Sequence, residues 1–340
     1  MIELDGSFGE GGGQILRTAL SLSAITGRAL RLKNIRRGRA KPGLQRQHLA
    51  CVKAAAEITA AECAGAELGS PSLVFQPGAI RAGRYVFTIG TAGSTTLLFQ
   101  TVLPILALAG SPAEALIHGG THNPFAPPVD YIREVFGPAV QSLGLNFDLE
   151  LIQYGFYPRG GGSIRAAIQP WLNRSLAFEQ TGEVDWGEPE ATVLLANLPL
   201  HVAEREQAEL VRALKIPAEN IQMVFPPGEV GPGNAVLVRC RSGDRAALFT
   251  AFGEKQKRAE TVAKEAAREA KNFRRSRAPV DPHLADQVLL YLALASGGKF
   301  CTSEITEHFR TNLAVIKQFL PVEATIEARR PDFWEVVLKK

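Results

Sequence analysis

A carboxylate, three glycines and an arginine stand close together near the start of the chain, in FGEGGGQILRTALSLSAITG (residues 8–27). Glycine gives up more backbone freedom on ordering than any other residue, so a run of three marks positive φ or a close approach to the main chain. Backbone N–H groups in such a turn, just before a helix, form an anion site. Glu10 beside them can hold the Mg²⁺ of a nucleoside triphosphate, and Arg17, early in the helix, can point at the same anion. A tight strand-to-helix turn with a surface Glu is the alternative. No Gly-Lys-Ser/Thr follows, so this is not a Walker A loop.

The second group is NIRRGRAKPGLQRQH, with Arg36, Arg37, Arg39, Lys41, Arg46, Gln47 and His48 in one loop and helix start. Gly and Pro hold such a loop in defined turns, and guanidiniums on a stiff loop suit bidentate phosphate binding. The expectation is a site for the phosphorylated end of a nucleic acid; a basic surface loop is the plainer reading. GTAGSTTLLFQ gives another small-residue helix start, with Gln100 on an otherwise apolar helix. GGTHNPFAPPVDYI offers Pro127 and Pro128, whose flat rings can stack on a base or simply form the turn before a helix. GFYPRGGGS, with Arg159, repeats the triple glycine and is expected at the start of a later unit, at the same pole of the fold. PHLADQ and TEHFRTN bring His283, Asp286, Gln287 and His308 into the last quarter of the chain.

The elements that must position these residues repeat. Three apolar helices, GQILRTALSLSAITG, GSTTLLFQTVLPILALAG and HLADQVLLYLALASGG, each end at small residues. Each is followed by a strand-like run and then a second, amphipathic helix. The second unit starts about eighty residues after the first, whereas the third lags by more than twice that. The delay fits an insertion over 181–277, with its own strands, a Pro/Gly-rich loop (FPPGEVGPGN) and a long helix, AETVAKEAAREAKNF. Val262, Ala266 and Phe273 mark that helix's apolar side, and its charges read as a solvated face. The expected fold is α/β, in α+β layers: three βαβα-type units form a large catalytic domain (1–180 and 278–340), with a smaller α/β domain (181–277) inserted.

The 340 residues suffice for two or three cored domains, and a formal charge of +4 permits a polyanionic partner without demanding one. Cys51, Cys63, Cys240 and Cys301 form no Cys-x-x-Cys pair, which argues against zinc. They read as reduced, buried thiols of a cytoplasmic protein. The apolar stretch TLLFQTVLPILALAG is interrupted by Gln100 and Pro104 and reads as a core helix, not a membrane span. No signal peptide is legible.

Taken together, GEGGGQILR, GRAKPGLQRQH, GTAGST, NPFAPP, GFYPRGGG, HVAERE, GPGN, FGEK, LADQ and H-x-x-TN resemble the RNA 3′-terminal phosphate cyclase family nearly end to end. The resemblance implies ATP-dependent conversion of an RNA 3′-phosphate to a 2′,3′-cyclic phosphate. It implies His308 as the nucleophile that takes AMP from ATP, and Glu10 as the ligand of Mg²⁺ (or Mn²⁺). Gln100 and His283, Leu284, Ala285, Asp286 and Gln287 would form the ATP site, with Pro127 against adenine. Arg17, Arg36, Arg39, Gln47 and His48 would receive the terminal phosphate of the RNA partner. The family often has Tyr where this chain has His283, which stacks with less area. Two rivals stand beside this reading: a non-catalytic cyclase-like RNA-binding protein of ribosome biogenesis, and a small-molecule transferase of similar repeat fold. The sequence leaves a homodimer open.

Overall fold

The computed structural model describes residues 1–227 and 230–340. The first unit runs β1 (Ile2–Asp5), α1 (Gly13–Thr26), β2 (Leu30–Lys33), α2 (Arg46–Thr59), β3 (Glu62–Ala64) and β4 (Leu73–Gln76). Its sheet order is β1-β2-β4-β3. β1 and β2 are parallel because α1 crosses between them; β4 pairs antiparallel with β2 and β3. The second unit has β5 (Arg84–Thr88), α3 (Thr95–Ala107), β6 (Ala113–Gly119), α4 (Val129–Tyr131), a π-helical turn (Ile132–Phe136), α5 (Gly137–Gln141), β7 (Phe147–Gln153) and β8 (Gly162–Ile168). It repeats the same order, β5-β6-β8-β7, with the same senses.

The third unit opens with β9 (Phe178–Gln180) and is interrupted at once by β10 (Glu190–Ala196), α6 (Leu200–Leu214), β11 (Ile221–Val224), β12 (Gly233–Ser242), β13 (Arg245–Phe252) and α7 (Ala259–Ser276). It resumes with α8 (Pro282–Leu294), β14 (Gly298–Thr302), α9 (Glu307–Phe319), β15 (Glu323–Arg330) and β16 (Phe333–Lys339). The order β9-β14-β16-β15 is that of the other two units. The three repeated α/β units expected from sequence are therefore present. The Pro/Gly-rich stretch FPPGEVGPGN includes Gly228 and Glu229, which lie outside the described residues.

The interrupting segment builds a fourth sheet, β11-β10-β12-β13. Alternation along β12 covers both of its faces: Ala235 and Leu237 join the large core, while Val236, Val238 and Cys240 pack with α6 and α7. α7 buries Val262, Ala266, Ala270 and Phe273 and turns most of its charges to solvent, but the expected solvated face is incomplete: Glu265 and Glu269 line the cavity described below. Arg239 and Arg241 of β12 and Glu134 of the π turn tie this sheet to the second unit (2.8 and 2.7 Å). Arg239 also donates to Thr192 (2.6 Å).

Two expectations are corrected. GFYPRGGGS does not begin a unit; it is the β7–β8 return, where Gly160 and Gly161 adopt φ of +70° and +78°. A triple glycine serves a hairpin as well as a helix start. Arg159 packs against Gly231 of the inserted segment, where an added Cβ would lie 2.8 Å away. Of the four cysteines, Cys63 is exposed, on the short strand β3; the other three are buried. No helix of the described residues is long and apolar enough to cross a membrane; TLLFQTVLPILALAG is the buried α3.

Candidate active site

One cavity of about 840 Å³ gathers the N-terminal ends of helices from all three units. α1 is the only one of the three first helices whose N-cap, Gly12, offers no side chain. Ser94 caps α3 by accepting the Leu97 N–H, and Asp281 caps α8 by accepting those of His283 and Leu284. The first turn of α1 thus keeps its backbone donors for another acceptor. Positive φ at Gly9 and Gly11 brings the chain into that turn, and a Cβ on Gly12 would overlap the Glu10 carboxylate.

Glu10 pairs with Arg39 through Oε1, and Arg39 also donates to the Glu10 carbonyl (2.8 Å). Glu10 Oε2 is buried without a protein partner among the described residues. No cluster of three His, Cys, Asp or Glu side chains that could cage a metal occurs among the described residues. The fit is therefore to an ion that takes one carboxylate oxygen and finds its other ligands on phosphates and water, the usual habit of Mg²⁺. Arg17 feels Glu10 and Asp286 only at a distance, and burial lowers its pKa. Burial, then the charges of Arg17 and Arg36, hold the His48 imidazole at about 3. His48 is therefore neutral: Nδ1 accepts the Gln45 N–H (3.2 Å), so Nε2 carries the proton and is a donor. Arg36 bonds the carbonyls of Lys41 and Gly43, which stiffens its loop. Gln47 Nε2 donates to the Ser94 carbonyl (3.1 Å), joining the basic loop to the second unit.

His308 lies in the first turn of α9, behind the cap formed by Thr306, and opens onto the cavity. Its Nδ1 is 2.6 Å from Gln14 Oε1. One turn further on, Thr18 donates to Asn312 (2.7 Å), and Asn312 donates to the Asp286 carbonyl (2.7 Å). The Glu10 N–H donates to Thr311 Oγ1 (3.0 Å). Burial lowers the His308 pKa; Glu10 opposes this, while Arg17, His283 and Arg39 add to it. The imidazole is neutral near pH 7, as a nucleophile must be.

On the opposite wall, Gln100 Nε2 donates to Gln287 Oε1 (2.7 Å), so two residues assigned to the ATP site meet. Thr96 donates to the Pro127 carbonyl (2.7 Å) and fixes that ring's loop. Tyr131 donates to Asp281 (3.1 Å). Burial, then the negative charges of Asp281 and Glu10, push Asp286 up to about 8 against the pull of Arg17, so its carboxyl is largely protonated at neutral pH.

The cavity brings together Glu10, Arg17, Arg36, Arg39, Gln47, His48, Gln100, Pro127, His283, Asp286, Gln287 and His308. Leu284 and Ala285 are not among its lining residues; both are buried in the core on the other side of α8. Sequence reasoning gave no role to Gln14, Thr18, Thr311, Asn312 or Tyr131. It also placed the site on the repeats alone, whereas Leu248–Phe252, Glu254, Lys257, Glu265 and Glu269 of the inserted segment form one wall.

The family model for RNA 3′-terminal phosphate cyclase matches residues 8–326. The chain belongs to the RNA 3′-terminal phosphate cyclase family. It is 46% identical over 322 residues to the RNA 3′-terminal phosphate cyclase of Ectopseudomonas mendocina, covering 95% of this chain and 93% of that one. The cyclases of Pseudomonas fluorescens (47% over 329 residues; 97% and 94% covered) and Koribacter versatilis (46% over 327 residues; 96% and 92%) are similar to the same degree. Among solved structures, the enolpyruvyl transferase NikO of Streptomyces tendae aligns at TM-score 0.39 and 10% identity, over 98% of this chain and 47% of that one. A likeness that low carries no argument about activity. Membership places the chain among enzymes that cyclise RNA 3′-phosphate ends.

Proposed function

We propose that this cyclase works through a histidine–AMP adduct in three steps. His308 Nε2 attacks the α-phosphorus of ATP; the bond to the β-phosphate oxygen breaks and pyrophosphate departs. An oxygen of the RNA 3′-phosphate then attacks the adduct's phosphorus, the P–N bond breaks, and the imidazole is released beneath an RNA(3′)pp(5′)A end. The adjacent 2′-OH attacks the RNA 3′-phosphorus, loses its proton and expels AMP, leaving the 2′,3′-cyclic phosphodiester. Nucleophile and phosphorus share one ribose, so this step gains from proximity.

The observation that carries the reading is a neutral imidazole, His308, in the same cavity as an uncapped helix start and a buried Arg17 that has no ion-pair partner among the described residues. The open N–H groups of α1 and Arg17 would receive the charge of the phosphates. Protonated Asp286 adds no negative charge there and can donate. Glu10 Oε2 would hold Mg²⁺, which when bound offsets triphosphate charge. Pro127 and His283 would face adenine, with Gln100 and Gln287 beside it. Arg36, Arg39, Gln47 and His48 Nε2–H would hold the RNA end. We assign 1–180 with 278–340 to the catalytic domain and 181–277 to an inserted domain that closes one side of the site. Incubation with α-labelled ATP and Mg²⁺ tests the scheme: label should be covalent, acid-labile and confined to His308. Stable cyclisation of RNA with no protein-bound AMP at any time would refute the adduct.

A further inference from the structure

We infer that Gln14 is a positioning residue that decides which ring nitrogen of His308 carries the proton. The inference rests on the reading of His308 as the nucleophile. A neutral imidazole has one N–H and one lone pair, and only the nitrogen with the lone pair can attack phosphorus. Left alone in water, the ring prefers its proton on Nε2, the nitrogen that opens to solvent. His308 needs the reverse. Gln14 Oε1, 2.6 Å from Nδ1, is an acceptor in the right place to hold the proton there. Nε2 then keeps its lone pair and makes no hydrogen bond among the described residues.

The pairing cannot slide. Gln14 and Thr18 lie one turn apart on α1, and they meet His308 and Asn312, one turn apart on α9. Asn312 is fixed in turn by the Asp286 carbonyl, and Thr311 by the Glu10 N–H. Two hydrogen bonds between the helices, with one to the turn before α1 and one to α8, thus set the register at which Nδ1 faces Gln14. Burial of Gln14 keeps water from competing for Nδ1. The ionisable groups near the ring, Glu10, Arg17, Arg39 and His283, act on it through space without a hydrogen bond to either nitrogen among the described residues. Gln14 is the only side chain among the described residues in direct contact of that kind.

The test reads the proton itself. The whole chain is labelled with ¹⁵N-histidine, and long-range ¹H–¹⁵N spectra are taken without nucleotide at about pH 8, where the ring is neutral. Of the six histidines, His308 is assigned by its disappearance in His308→Asn. Nδ1 should be pyrrole-like and Nε2 pyridine-like. In Gln14→Leu the ring should revert to a proton mainly on Nε2. Self-adenylylation should fall about 10- to 100-fold, the scale known for losing the partner that orients a metal-ligating histidine, with KM for ATP within about twofold of wild type. Gln14→Glu keeps an acceptor and should keep the Nδ1 proton and most of the rate. A wild-type spectrum with the proton on Nε2 overturns the inference, even if Gln14→Leu does not fold. So does a Gln14→Leu spectrum identical to wild type. The expected spectra from a chain that never binds AMP covalently would sustain the tautomer assignment and sink the nucleophile reading instead.

Discussion

Helices α1 and α3 hold the same place in consecutive repeats, yet their first turns are finished differently. Ser94 closes α3 with its own hydroxyl, which accepts the Leu97 N–H and also meets Thr96. Gly12 leaves α1 open, beside Glu10 and within the cavity. The third first helix, α8, is closed by Asp281. One fold position, used three times, is closed by a side chain twice and left open to the cavity once. The capped helices reach the cavity through side chains farther along, such as Gln100 and Gln287, whereas α1 adds the open main chain of its first turn to side chains such as Arg17. A missing cap in a repeat whose sisters are capped is thus a pointer to a ligand.

The largest expected effect tests the side-chain half of that contrast. His308→Asn keeps α9 and its Thr306 cap but removes the nucleophilic lone pair. The AMP adduct and all ATP-driven cyclisation should disappear, while RNA already carrying a 3′-adenylylated phosphate should still cyclise. Gel analysis of labelled protein and RNA reads both; AMP still bound to the variant would defeat the assignment.

Next comes Arg39→Ala, beside the open turn. Each charge-assisted contact is worth roughly 1.5–3 kcal/mol, so transfer of AMP to RNA should drop by about one to two decades. Single-turnover rates should show self-adenylylation reduced less. Equal losses in both would move Arg39 to the nucleotide side, in keeping with its pairing to Glu10.

Gly12→Ser then gives α1 the finish of α3. The φ of Gly12 is −109°, so the substitution imposes no left-handed strain. Its side chain would compete for the open N–H groups and crowd Glu10. Self-adenylylation should fall about tenfold with thermal stability unchanged or slightly raised. An active, unaltered enzyme would mean that α1's open turn binds nothing.

The smallest effect is the converse. Ser94→Ala should cost about 1 kcal/mol of stability, seen as a lower denaturant midpoint, and leave both half-reactions near wild type. A selective loss of activity would erase the distinction between closed and open helix starts.

The repeat was legible because each apolar helix stops at small residues, at Gly27, Ala109–Gly110 and Ser296–Gly297, before a strand. Glu10, the basic loop and His308 were legible as residue types and as a motif series. What sequence hid has physical reasons. GFYPRGGG carries glycines for a hairpin return, and composition does not separate that need from a helix start. The run His283–Gln287 resembles the family's ATP-site stretch as a whole, but α8 turns 100° per residue, so His283, Asp286 and Gln287 face the cavity while Leu284 and Ala285 face the core. The strand segment Leu248–Phe252 is apolar on both faces, like any buried strand, with nothing to announce a cavity wall. Thr311 and Asn312 stood in a recognisable string, but Glu10 and Thr18, which they bond, belong to the other end of the chain.

That last pairing has a consequence in time. The bonds between Glu10 and Thr311, and between Gln14 and His308, span 301 and 294 residues. Contacts between such distant segments form late, because the entropy of closing so long a loop is spent before the contact returns anything. Within a unit, helices and hairpins close over short separations and need not wait. Refolding from denaturant should therefore restore helical circular dichroism before it restores AMP binding, and catalytic competence becomes the last property the chain acquires.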